Sequence, residues 1–160
     1  MTGEPQRLDP RIRTVWRVTS LLAVAVVGAV LATTAVTAVV AADAPALPVL
    51  GPISLLLALA AAFAWWWPGV RYRHWSYRLD ENALEITYGP VFRSESVIPY
   101  FRVQHVDTSA GPIERKLGLA NLKVHTASAA TDATLPGLAA DVAEAIRRRM
   151  LESAGAGDAV

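Results

Sequence analysis

The hydrophobic pattern changes character midway along the chain. Residues 18–42 form a 25-residue run without a charged side chain, and about 20 apolar residues in a helix cross the hydrocarbon core of a bilayer. Residues 49–67 add 19 more uncharged positions. This second run predicts a slightly shorter span if Gly51-Pro52 delays its start, since proline suits a first helical turn but not a helix interior. Between the two runs, "DAPALP" carries two prolines and one aspartate, which stop a helix and leave six residues to reverse direction. The pattern predicts an antiparallel transmembrane hairpin. Gly28, Ala32 and Ala35 on the first helix, with Ala58 and Ala62 on the second, offer small-residue faces for close packing.

From Tyr72 onward the apolar period becomes two. Leu84, Ile86 and Tyr88 face one way and Glu85 and Thr87 the other, while Leu122, Val124 and Thr126 oppose Asn121, Lys123 and His125. Turn signals at "DEN" (80–82), "GP" (89–90) and "AGP" (110–112) separate five or six short strands before Pro136. Phe101 and Val103 share a face, but the next apolar residue is Val106, so the alternation slips near His105. A β-bulge there would restore the core face.

"GPIERKLG" then predicts one helical turn opened by Pro112 and closed by a left-handed Gly118. Ile113 and Leu117 would face inward, and Arg115 and Lys116 outward. "PGLAADVAEAIRRRMLES" predicts a final helix with Leu138, Val142, Ala145, Ile146 and Met150 on its apolar stripe. Asp141 and Glu144 early, and Arg147, Arg148 and Arg149 late, would complement the helix dipole. The expected division is a cytoplasmic N-terminal segment (1–17), a hairpin (18–67), a soluble domain (71–152) able to fold when detached, and a disordered tail (153–160).

Charge adds orientation. Arg7, Arg11, Arg13 and Arg17 precede the first span, Arg71, Arg73 and Arg78 follow the second, and the connecting loop has no basic residue. The positive-inside rule places both termini in the cytoplasm. The competing reading is a signal peptide cleaved after Ala42, which fits poorly because the apolar run exceeds the usual 7–15 residues and a second span follows. Trp65, Trp66 and Trp67 cannot converge on one ligand, because consecutive helical residues point about 100° apart. They suit an interfacial belt as membrane anchors.

Composition removes several function classes. The net charge is +1, so the chain lacks the concentrated basic field that nucleic acid requires. The absence of cysteine excludes disulfides, thiol catalysis and cysteine-based zinc sites. No nucleophile with its base, metal-ligand spacing or phosphate loop is present, so no catalytic, metal or cofactor-binding residue is assigned. His74, His105 and His125 stand apart in sequence; His105 and His125 could be cross-strand neighbours without carboxylate spacing that would mark a metal site.

Five or six antiparallel strands followed by one amphipathic helix suit a curved sheet or partial barrel stopped at one end by the helix. Two spans followed by "YRLDENALEITYG", "SVIPYFRVQHVDTSAGPIERKLGLANLKVHTAS" and "LPGL" before the last helix resemble the YdbS-like family of bacterial PH-type membrane proteins, over residues 16–151. The family pattern falls most specifically on residues 98–126, including Arg102 and Gln104 in the strand, Gly111, Pro112 and Glu114 at the turn, and Gly118. The resemblance implies an α+β membrane protein with a pleckstrin-homology-like domain at the cytoplasmic face of a bacterial plasma membrane. It does not imply phosphoinositide binding, because the first hairpin turn is the acidic Asp80-Glu81-Asn82, the wrong charge for a phosphate cradle.

Three functional readings follow. The first is a non-enzymatic interaction module whose sheet edge or basic turn docks another membrane protein or a second copy of this chain. The second is a reader of anionic lipid through Arg71, Arg73, Arg115, Lys116, Arg147, Arg148 and Arg149. The third is an accessory subunit of a transporter or envelope enzyme. The bilayer is a partner in all three, and nucleic acid in none.

Overall fold

Two long helices open the fold: α1 (Ile12–Ala41) and α2 (Ala46–Arg73). In this computed structural model the described residues are 4–43, 45–127 and 132–157. Both helices outrun the uncharged segments that predicted them. α1 begins six residues before residue 18, and α2 passes through Pro52 and Pro68 before ending at Arg73. The reason is that charge marks where an apolar solvent must end, whereas a hydrogen-bonded backbone continues freely through arginine. Gly51-Pro52 therefore lies inside α2 and not at its start.

The helices pair antiparallel. Arg17 donates from Nε to the carbonyl of Trp65 at 3.2 Å and lies 4.6 Å over its ring, while a Cβ on Gly28 would stand 3.3 Å from Leu57. Ala35 and Ala64 are buried as expected of small interhelical residues. Ala32, Ala58 and Ala62 are instead exposed. In the middle of α2 the buried or half-buried positions are Ile53, Leu57, Ala60, Ala61, Ala64, Trp67 and Pro68, one helical face that leaves 58 and 62 to the side.

The soluble unit contains six described strands in two antiparallel sheets. β1 (Ser76–Leu79), β2 (Ala83–Tyr88) and β3 (Ser94–Pro99) form the first in that order. β4 (Val103–Ser109), β5 (Leu119–Thr126) and β6 (Ala133–Ala139) form the second. Period-two alternation turns into burial as expected: Leu84, Ile86, Leu122 and Val124 are all within 1% of full burial. The slip near His105 is a register shift between Val103 and His105. Phe101, however, does not share the Val103 face. It belongs to a 3-10 turn (Tyr100–Arg102) that buries Tyr100 and leaves Phe101 71% exposed.

α3 (Pro112–Lys116) is the predicted single turn. Glu114 holds its entry, accepting from the Gly111 N–H at 2.6 Å and from Asn121 Nδ2 at 2.8 Å. Asn121 Oδ1 in turn accepts from the Gly137 N–H at 2.9 Å. Gly118 has φ +68°, the left-handed conformation that ends such turns. A Cβ there would meet only Arg11 Nη1, at 3.8 Å. Gly118→Ala therefore carries backbone strain without a clash and is expected to cost about 1 kcal/mol; thermal melts of the two proteins check this, and identical curves would remove the strain argument.

The end of the chain departs from expectation. Pro136, Gly137 and Leu138 lie in β6, and α4 (Ala140–Gly157) starts only afterwards. Its buried face is Ala143, Ile146 and Met150, while Val142 and Ala145 are exposed. Because α4 extends to Gly157, no basic residue lies in its last turn. Arg147, Arg148 and Arg149 are thus mid-helix, too far from the C-terminus for the dipole to explain them. Residues 153–157 continue the helix where a tail was expected, and 158–160 lie outside the described residues.

The N-terminal segment joins the soluble unit, which comprises residues 1–15 together with 71–160. Gln6 pairs with Tyr77 through two backbone hydrogen bonds of 2.7 and 2.9 Å. The Asp9 N–H reaches the Gly137 carbonyl at 3.1 Å, and Tyr72 donates to the Leu8 carbonyl at 3.0 Å. Leu8 and Ile12 are 2% and 0% exposed. The expected boundary at residue 71 therefore leaves two core side chains outside the domain.

Candidate functional site

The seven cations expected to form one binding surface divide into two groups. Arg11 donates to the Leu117 carbonyl at 2.9 Å, and Arg13 lies 4.9 Å over the Tyr72 ring. These contacts tie the end of α3 to the start of α1, and the start of α1 to Tyr72 near the end of α2; Arg115 and Lys116 of α3 and the flanking Arg71 and Arg73 are exposed. The other group follows α4. There Arg149 Nη2 is 3.4 Å from the Asp80 carbonyl, beside the β1–β2 turn and the buried Tyr100.

Arg147 is engaged locally, bonding both oxygens of Glu144 at 3.0 and 2.9 Å. That pairing lowers the Glu144 carboxyl and raises the Arg147 guanidinium relative to their ordinary values. An i,i+3 pair thus accounts for one arginine of the run without a ligand, and Arg148 is exposed. Arg102 and Gln104 are also exposed, Arg102 lying 5.7 Å from the Phe101 ring. Gly111, Pro112, Glu114 and Gly118 build the α3 turn itself.

Around the β1–β2 turn, the Tyr100 hydroxyl donates to the Asp80 carbonyl at 3.1 Å, and burial pushes its phenol upward. Burial does the same to Tyr77, whose hydroxyl bonds Gln6 Oε1 at 2.9 Å. Both tyrosines therefore act as neutral donors that fix the chain around them.

His105 and His125 are cross-strand partners, as their alternation allowed. His105 Nε2 lies 2.8 Å from Asp107, and His125 Nδ1 lies 2.8 Å from Asp132. The Thr126 N–H and the His125 ring hold the Asp132 carboxyl below its ordinary value. Among the described residues no group of three or more histidines, cysteines or carboxylates is arranged to hold a metal ion. The His125–Asp132 hydrogen bond joins β5 to the approach to β6, whereas the His105–Asp107 contact lies within β4.

Two surface features escaped the reading of the sequence. A shallow cleft of about 340 Å³ lies over the outer face of the first sheet, where Arg78 pairs with Glu85 at 3.2 Å and Arg93 and Glu95 stand alongside. Along β3 and its flanks, Val91, Phe92, Val97 and Phe101 are 75%, 85%, 54% and 71% exposed. The available signal was "PVFR" straight after a turn glycine, apolar residues where a turn should be polar.

Comparison with known proteins places these features in a family. The profile for the bacterial PH domain matches residues 11–154. The chain is 37% identical over 99 residues to the UPF0699 transmembrane protein YdbS of Bacillus subtilis (strain 168), across 62% of this chain. It spans only 60% of that relative's length. A crystal structure of a DUF1696 family protein with a pleckstrin-homology domain from Shewanella loihica PV-4 aligns at 17% identity with a TM-score of 0.40, covering 52% of this chain and 74% of that one. The match covers the start of α1, both apolar helices, both sheets and most of α4, and on it the chain belongs to the bacterial PH domain family.

Proposed function

We propose that this protein is a non-enzymatic, membrane-anchored PH-like module that docks a protein partner, another membrane protein or a second copy of itself, along the β3 edge. One observation carries the reading: β3 has no strand on its outer side among the described residues, and Val97 and Phe101 stand exposed beside that edge. An open edge offers backbone groups for strand addition, and flanking apolar side chains give the added strand something to bury. Glu95 is the single charge on the strand, which is little protection against pairing. Arginines on both flanks of the two helices and none between them support a cytoplasmic position for the domain and both termini.

A photo-crosslinking residue at position 97 of the full-length protein in native membranes tests the reading. A protein adduct, of twice the chain's mass or with another membrane protein, is expected at 97 and not at the exposed Arg148. With the crosslinker moved to position 95, the double change Val97→Arg and Phe101→Arg should abolish it. Equal adduct yields at 97 and 148 would show that β3 is not a docking edge.

A further inference from the structure

The connection between β2 and β3 presents Val91 and Phe92 to solvent at its tip, followed at once by Arg93. Strand register fixes where that tip lies. Ser76 pairs with Thr87, and Tyr88 with Ser94, so the tip extends past the beginning of β1. Trp75 stacks on Tyr88 with ring centroids 5.0 Å apart. Arg73, His74, Ser76, Thr87, Gly89 and Arg93 line a single recess of about 210 Å³. Neither Arg73 nor Arg93 forms an ion pair among the described residues.

Arg73 is the last residue of α2, six positions beyond Trp67 on the same continuous helix. Six residues span at most about 20 Å of chain. A tryptophan belt at the membrane interface therefore keeps Arg73, and the recess it lines, tethered within reach of the bilayer surface.

We infer that the β2–β3 tip is a membrane-inserting element: Val91 and Phe92 enter the boundary between headgroups and acyl chains, while Arg73 and Arg93 hold the phosphate of an anionic phospholipid. Charge and apolarity both point to this occupant. Two unpaired guanidiniums can bond a phosphate in bidentate fashion, and an adjoining apolar pair meets acyl chains, the combination by which interfacial segments hold to anionic membranes. The inference does not depend on a protein partner at β3. It also places the lipid contact at the opposite end of the β1–β2 hairpin from the acidic Asp80-Glu81-Asn82 turn.

The chain has no cysteine, so a nitroxide can be attached at Phe92→Cys or, as the reference, at Glu81→Cys in the full-length protein. Reconstituted in nanodiscs of phosphatidylcholine with phosphatidylglycerol, the probe at 92 should be several-fold more accessible to oxygen than to a water-soluble nickel chelate, relative to the probe at 81. Arg73→Gln with Arg93→Gln should reduce this ratio, as should discs of phosphatidylcholine alone. A probe at 92 as nickel-accessible as the one at 81 would overturn the inference. So would protection from both reagents, which would mean that protein covers the tip, and so would a ratio indifferent to both arginines and phosphatidylglycerol.

Discussion

Replacing Ile12 with alanine lowers the stability of the soluble domain by about 2–5 kcal/mol, the range for emptying a well-packed aliphatic site. Ile12 is wholly buried, and Leu8, one turn of chain before it, nearly so. Both precede the first uncharged run, yet their partners come from the far side of the hairpin: Tyr72 for Leu8 and Gly137 for Ile12. The effect can be measured in a chain whose residues 16–70 are replaced by a glycine-serine linker, since Arg13 and Tyr72 already touch across that gap. Urea midpoints at constant slope give the loss. A domain of this size is stabilised by only about 5–10 kcal/mol. Losing Leu8 and Ile12 together therefore consumes most of it, and a 71–152 fragment should fail to melt cooperatively. Cooperative melting of that fragment at the temperature of the linked chain would show the segment to be peripheral.

Gly137→Ala carries the second large effect, about 2–5 kcal/mol from two sources. The residue has φ +63°, which costs a side chain about 1–2 kcal/mol. The added Cβ would also collide with the Ile12 side chain at Cγ1, and overpacking of this kind costs about 1–3 kcal/mol. The contact makes a cycle possible. With Ile12→Ala already present the clashes with Cγ1 and Cδ1 disappear while that with the Cβ of residue 12 remains, so the clash is relieved in part and the double variant should be less destabilised than the sum of the singles by about 0.5–3 kcal/mol. Simple additivity in the linked chain would show that β6 moves aside instead. Gly118 supplies the internal comparison, because it has the same backbone sign with open space around it. A Gly137→Ala loss no larger than that of Gly118→Ala would discount the clash.

The candidate site was less legible than the fold. Arg115 and Lys116 were correctly placed on the outside of a turn, because Ile113 and Leu117 claim its inner side at helical spacing. The arginine run was misread: a mid-helix pair with Glu144 and a contact to Asp80 replace the dipole argument, and the missing information was where α4 ends. Exposure at Phe101 was hidden for a related reason. A 3-10 turn shifts side-chain direction by about 120° per residue, so alternation counted across it assigned Phe101 to the face of Val103.

Periodicity by itself determined two apolar helices, half-buried strands around Leu84 and Leu122, the bulge at His105 and the left-handed Gly118. Each depends on neighbours a few residues away, and local sterics and solvent preference suffice for that. Tertiary structure alone decided that Leu8 and Ile12 complete the core of a domain whose remainder begins after residue 70, that Gly137 must lack a side chain, and that Arg73 and Arg93 share a recess. These relations join residues 20 to more than 120 positions apart. No pattern along the chain encodes them, because they exist only once the two membrane helices return the chain beside its own beginning and the sheets close around it.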